Sequence, residues 1–297
     1  MYCVICKYQY CLEVESMLET KIKISGFCDE IHDDILVQFE AAKKLGIKYY
    51  DPRIVDGKNV TLLTDEELDR LCALMKEYGM TPTSLGTPIG KIKTTDDFEE
   101  HFEYFKRTVE VAKKVGTKYI RMFSFYLPED EDFDSYTDWV VERLERMVKY
   151  AEEQGVVLLH ENEKGIYGNV ASRCKILFER IVSPAFRCAF DFSNFVECDQ
   201  ECSEAYEMLK PYIDHIHIKD NKGGTEVVPA GWGDGKIPEI LADAYKNGYD
   251  GFVSLEPHLF TFDVPETAGE MTKQFEDVKA QRYAFAVEEL VKVIENI

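Results

Sequence analysis

One hydrophobic pattern repeats along the chain: an amphipathic segment with a charged last turn, then Gly, then a short apolar run. It occurs as Lys43-Lys44-Leu45-Gly46 before IKYYD and as Lys76-Glu77-Tyr78-Gly79 before MTPTSL. It returns as Lys113-Lys114-Val115-Gly116 before TKYIRMF and as Glu152-Glu153-Gln154-Gly155 before VVLLHE. A helix closes on Gly because its C′ residue takes a left-handed backbone, after which the chain re-enters a buried strand. The unit is βα. Apolar runs of strand length lie at 22–27, 47–51, 81–86, 118–124, 156–161, 186–191, 213–218 and 251–256. Between them, Thr64 and Glu67 have capping-box spacing ahead of Leu68, Leu71, Leu74 and Met75 on one helical face. Phe98, Phe102, Phe105 and Val109 form a second such face behind Asp96 and Asp97, and both stripes read as core.

Eight strands alternating with helices, the last followed by the long segment 268–296, predict a (β/α)8 TIM barrel of class α/β over residues 21–297 as a single domain. An open doubly wound sheet is the competitor, but no G-x-G-x-x-G follows the first strand. Residues 1–20 precede the first unit and read as an N-terminal leader, either disordered or an extension upstream of a start at Met17. Within it Cys3 and Cys6 form a C-x-x-C with Cys11 nearby, but no second pair lies near enough to complete a zinc site. The acidic run Glu129 to Asp134 reads as a solvated loop.

Charge narrows the partners. The 297 residues carry 35 Lys and Arg against 56 Asp and Glu, a net charge of −21, which repels a phosphate backbone and disfavours nucleic acid. No apolar run is long enough to span a bilayer and no secretory signal opens the chain, while 9 Cys without regular spacing look like reduced thiols. The expected location is the cytoplasm, with no membrane partner. The helices leave room for a homo-oligomer, which no heptad specifies.

In a barrel of this kind the active site lies at the C-terminal ends of the strands. Strand five ends VVLLHE at Glu161, strand six CAFD at Asp191, and strand eight FVSLE at Glu256, while strand seven, IDHIHIKD, carries His217. Singly, each has a plain structural explanation as a helix cap or a satisfied core residue. Together, four consecutive strands deliver three acids that are costly to bury unpartnered, and one imidazole. Such a set suits a divalent ion, Mn²⁺ first, with Mg²⁺, Co²⁺ or Zn²⁺ as alternatives.

The segments HENEKGIYG, AFDFSN, HIHIKD and GFVSLEPH resemble the sugar phosphate isomerase/epimerase family, the xylose isomerase-like TIM barrels, and the resemblance runs from about Lys21 to the C-terminus. It implies that Glu161, Asp191, His217 and Glu256 ligate the metal and that Glu161 and Glu256 double as the acid/base pair. Three residues after the aspartate, epimerases of this family often have His, and this chain has Asn194. The arginine that several epimerases carry past the strand-seven His has no clear match, since Asn221-Lys222-Gly223-Gly224 follows. The Lys219-Asp220 pair is the form common among uncharacterised isomerases and inosose dehydratase-like members.

A proton beside a sugar carbonyl is too weakly acidic for a lone carboxylate, so a metal must polarise the carbonyl and stabilise the enediolate. A second carboxylate then returns the proton to the same carbon, to its neighbour, or assists loss of hydroxide, giving epimerisation, isomerisation or dehydration. The first expectation is a metal-dependent isomerase or epimerase of a small sugar or polyol derivative. The alternative is a dehydratase of inosose or dehydroshikimate type. An apurinic endonuclease is remote, because that branch needs a richer His set for three zinc ions and a basic groove.

Further candidates follow from strand ends and alternation. Lys219 at the mouth, Arg53, Lys91, Arg121 and Asn194 are expected to bind substrate; for Arg121 a structural pairing with a neighbouring acid is an equal reading. Ser124 ends the same strand as Arg121. Trp232, in the loop VVPAGWGDGKIP, either covers a sugar face or belongs to an ordinary connection. His215, Asn162, Glu163, Asp220 and His258 are expected to support the ligands.

Overall fold

The computed structural model describes residues 22–297. The leader reading and the Cys3–Cys6 pair therefore lie outside the described residues. Each apolar run becomes a barrel strand: β1 (Lys23–Gly26), β2 (Tyr49–Tyr50), β3 (Ser84–Gly86), β4 (Tyr119–Met122), β5 (Val157–Glu161), β6 (Phe186–Asp191), β7 (Ile213–Ile218) and β8 (Phe252–Leu255). Seven are in one sheet, all parallel, in the order β1-β8-β7-β6-β5-β4-β3. The eighth, β2, closes the ring. Asp51 N donates to Gly26 O at 3.0 Å on one side, and on the other Thr83 N donates to Tyr50 O at 2.9 Å and Gly86 N to Pro52 O at 2.8 Å.

Among the described residues eight helices of eight residues or more surround the strands: α1 (Ile35–Lys44), α2 (Asp65–Tyr78), α3 (Phe98–Val115), α4 (Thr137–Gln154), α5 (Ala171–Arg180), α6 (Cys202–Leu209), α7 (Ile237–Lys246) and α8 (Val278–Glu295). The Thr64–Glu67 capping box forms with both of its hydrogen bonds, and Leu68, Leu71 and Met75 are buried behind it. Gly46, Gly79, Gly116 and Gly155 all take the left-handed backbone that the repeat predicts, with φ between 70° and 92°. Among the described residues no helix is long and apolar enough to cross a membrane.

The loop after β3 is pinned from α3. Gly90 N donates to His101 Nε2 at 2.9 Å, and at φ +86° a Cβ on Gly90 would meet Phe123 O at 2.0 Å, so the loop is packed against β4 through bare backbone. To accept this bond His101 must be neutral, and burial holds its pKa down to about 4 from 6.5. Between those values the unfolded chain binds the proton and the folded chain does not, so stability falls as pH drops from 6.5 to 4. The loss is up to about 3 kcal/mol. Denaturant unfolding at pH 7.5 and 4.5 checks it: His101→Gln, which can still accept from Gly90, should lose less stability over that interval than the wild type.

Candidate metal centre

Parallel pairing sets the level of each strand end. In β7, His215, His217 and Lys219 follow at alternate positions, and pairing places His217 beside Asp191 of β6 and Ser254 of β8. One ligand atom from each of Glu161, Asp191, His217 and Glu256 lies within 4.8 Å of the others, and all four residues are buried. His217 Nδ1 stands 3.3 Å from Glu161 Oε1 and 3.2 Å from Glu256 Oε2, between the two carboxylates. Asp191 uses Oδ1 to cap the short helix Phe192–Val196, accepting from Asn194 N at 2.8 Å, while Oδ2 lies 3.2 Å from Lys219 Nζ.

The donor set fits a divalent ion. Glu161 Oε2, Asp191 Oδ2, Glu256 Oε2 and the His217 nitrogens are buried without a hydrogen bond, an arrangement that is costly unless a cation completes it. The titration behaviour expresses the same demand. Burial alone would depress His217, yet Glu161 and Glu256 raise it to about 10. Burial opposes ionisation of Glu161, but His217 and Arg121 pull it down to about 2. Burial carries Asp191 up to about 7, against the pull of Lys219 and with the charges of Glu161 and Glu256 adding to the rise.

Around the cage the polar contacts are dense. Asn162 and Asp191 exchange hydrogen bonds across β5 and β6, Asn162 Nδ2 to Asp191 O at 2.9 Å and Asp191 N to Asn162 Oδ1 at 3.0 Å. Asn194 Nδ2 donates to Glu161 Oε1 at 3.2 Å and its Oδ1 accepts from Lys219 Nζ at 2.9 Å, which links a ligand carboxylate to the mouth. Arg121 is nearly buried with Nε 3.2 Å from Glu161 Oε2, and its guanidinium lies 4.8 Å from the Phe123 ring centroid. Arg53 spreads its fork over Asp29, Glu30 and Glu256, with Nη1 2.5 Å from Glu256 Oε1. His258 Nε2 stands 3.4 Å from Glu30 and 3.5 Å from Glu256.

Arg53, Lys91, Arg121, Asn194 and Lys219 all line a mouth cavity of about 610 Å³ that includes Glu161 and Glu256. Glu163 and His258 line it too, Glu163 as the ion-pair partner of Lys91 at 2.7 Å. His215 lies deeper and buried, 3.8 Å from Asp51 Oδ1. Ser124 Oγ accepts from Gly168 N at 2.8 Å. Two residues fall elsewhere than expected. Trp232 is not on the cavity lining: its ring packs edge-on to Phe262 and Phe285 and its indole N–H donates to Glu289 Oε2 at 2.7 Å, against α8. Asp220 faces away from the ligands, because its carboxylate is filled by backbone N–H groups of the Gly231–Gly235 loop.

Several residues of the mouth escaped the sequence reading. Asp29 and Glu30 follow β1 as FCDE; the same rule of an acid at a strand end finds them, as it finds Asp51, which ends IKYYD and sits deeper beside His215. Phe260, exposed on the cavity lining two residues past His258, carries no such signal. A further cavity of about 700 Å³ opens where the strands begin, lined by Lys23, Lys118, Asp214 and Tyr249, at the end opposite the ligand cluster.

With this geometry in hand, the chain belongs to the xylose isomerase-like TIM barrel family, whose model matches residues 39–277. No individually curated protein sequence matches it. Among solved structures it is similar to the IOLI protein with a binding zinc atom, at TM-score 0.75 and 17% identity over 92% of this chain and 98% of that one. It is also similar to the probable 3-DHS dehydratase AsbF of Bacillus anthracis, at TM-score 0.69 and 17% identity over 93% and 99%. The 3-keto-D-glucoside 4-epimerase YcjR of E. coli gives TM-score 0.67 and 19% identity over 92% and 99%. These likenesses carry the fold.

Proposed function

We propose that this chain is a metal-dependent isomerase or epimerase of a small sugar or polyol derivative, with Glu161 and Glu256 as its acid/base pair. The observation that carries the reading is the cluster of four buried residues at the ends of four consecutive strands, with one ligand atom of each within 4.8 Å of the others, of which Glu161 and Glu256 line the mouth cavity. Glu161, Asp191, His217 and Glu256 would hold a divalent ion, Mn²⁺ ahead of Mg²⁺, Co²⁺ and Zn²⁺, and that ion supplies the positive charge that acidifies a proton beside a carbonyl.

The chain's own part is to place the carboxylates and hold the substrate. Glu161 and Glu256 approach His217 from either side, and each keeps one oxygen free of hydrogen bonds. One carboxylate removes the proton and the other returns it, to the same carbon in epimerisation and to its neighbour in isomerisation. His217 and Arg121 favour the ionised form of Glu161, and His217, His258 and Arg53 that of Glu256, against the cost of burial. Lys219, held by Asp191 and Asn194, presents a fixed donor to a substrate oxygen. The buried free thiols of Cys28, Cys174, Cys188 and Cys202 suit a reducing cytoplasm, where we place the protein.

Metal analysis with thermal melting tests the reading. The wild type should carry about one equivalent, and saturating Mn²⁺ should add about 3–4 kcal/mol by mass action at 100–1,000 times its Kd. Solvent-deuterium exchange into sugars and inosose-like ketones then identifies the proton transfer, and a dehydrated product would move the assignment to a lyase. A wild type that binds no divalent ion would sink the mechanism, and about three zinc equivalents would favour the endonuclease branch.

A further inference from the structure

The mouth carries its charges in pairs. Arg53 is committed to Asp29, Glu30 and Glu256, and Arg121 to Glu161. Lys91 lies 2.7 Å from Glu163, and Lys219 3.2 Å from Asp191. Lys164 is the cavity-lining cation that makes no ion pair within 4.0 Å among the described residues, and it is exposed at the rim. Glu197, on the same lining, is a half-buried carboxylate without an ion pair. With the pair partners Glu30 and Asp191 added to the lining, five Lys and Arg stand against seven carboxylates, so the mouth holds no surplus of Lys and Arg charge for an anion.

Among the described residues an anionic group entering this mouth meets no unpaired buried cation, only the exposed Lys164 at the rim. Freeing one would leave its carboxylate buried and uncompensated, which is the expensive way to break such a pair. What the mouth does offer is neutral recognition. Phe260 is 55% exposed on the lining, with its ring stacked on His258 at 5.3 Å between centroids. An aromatic face in a wet, polar mouth suits the C–H face of a polyhydroxylated ring. Asp29 Oδ1 is buried without a hydrogen bond on the same lining, an acceptor in want of a donor such as a hydroxyl.

We infer, resting on the function proposed above, that the substrate is an uncharged polyhydroxylated carbonyl compound, laid against Phe260 with a hydroxyl donated to Asp29, and that it carries neither phosphate nor carboxylate. Within the proposed reading this excludes sugar phosphates and dehydroshikimate-like acids, and keeps keto sugars and keto-inositols.

Melting of the Mn²⁺-loaded protein against paired probes tests it: sorbitol and myo-inositol, their monophosphates, and gluconate. The neutral polyols should protect, and the phosphates and gluconate should protect no better at equal concentration. Phe260→Ala, at an exposed position that leaves the fold intact, should need roughly fivefold more polyol for the same shift. Glu163→Gln, which frees Lys91, should give the phosphates an advantage that the wild type denies them. A phosphate or gluconate that protects the wild type at tenfold lower concentration than its neutral counterpart overturns the inference, as does failure of every polyol to protect. Either result leaves the metal site standing. Loss of the Mn²⁺ shift itself is the separate failure of the underlying function, and it overturns both.

Discussion

Glu161→Gln and Glu256→Gln should each lower solvent-deuterium exchange by about 10³-fold or more, the scale of a removed general base that also ligates the metal. Glutamine keeps the size of the side chain and one acceptor oxygen but supplies neither a proton acceptor of useful basicity nor a full ligand charge. The apo proteins should fold. Without metal each carboxylate partners a buried arginine, Glu161 with Arg121 and Glu256 with Arg53, and both face His217, so losing one charge should lower metal-free melting. What should vanish is the Mn²⁺-dependent rise in melting temperature. Both readouts are needed, because an exchange defect alone could follow from a shifted strand end. A Glu161→Gln protein with a full metal equivalent and undiminished exchange would remove that residue from the acid/base pair.

How much of this was legible in the sequence follows from which contacts are local. The barrel strands were readable because a Gly-closed helix followed by an apolar run is a local signal, repeated until the ring closes. Strand β2 marks the edge of that signal. Its run IKYYD reads as 47–51, but only Tyr49–Tyr50 pair in register, since Pro52 has no N–H to extend the ladder. The four clustered side chains were readable for a related reason, each lying at the polar end of a buried strand where an acid or imidazole needs a partner.

The rest of the mouth depends on where loops travel after leaving the barrel. Trp232 was the aromatic candidate for a cover, and it is Phe260, which no local signal marks, that lines the cavity. Trp232 is taken by Phe262, Phe285 and Glu289, partners between 30 and 57 residues away. His258 takes a left-handed backbone, φ 50°, just before Phe260, a turn that a histidine does not announce. Asp29 and Glu30 read equally well as acids in the first turn of a helix, and they do sit in the short 3-10 helix Cys28–Glu30. Only the approach of Arg53 from the next βα loop makes them part of the mouth.

Asp220→Ala should cost about 4 kcal/mol, the largest stability loss expected from a single polar side chain here, because it orphans a buried network rather than one bond. The Asp220 carboxylate accepts from Asn221 N at 2.9 Å and from the N–H groups of Gly231, Gly233 and Gly235 at 2.9, 3.0 and 3.0 Å. Glycine is required at the centre of this cradle: a Cβ on Gly233 would stand 2.4 Å from Asn221 O and 2.5 Å from Asp220 Oδ1. For a chain of this length 4 kcal/mol corresponds to roughly 6 °C in Tm. Asp220→Asn should lose less, since one amide oxygen still accepts while the charge and the second acceptor are gone. The loop ties to function through Lys219, the preceding residue, whose ammonium must meet both Asp191 and Asn194. Asp220→Asn should therefore weaken polyol protection of the Mn²⁺-loaded protein while metal stoichiometry stays at one. Thermal melting and metal analysis of the two variants decide the matter: an Asp220→Ala protein as stable as the wild type would mean that water replaces the carboxylate in the cradle and that the loop needs no anchor.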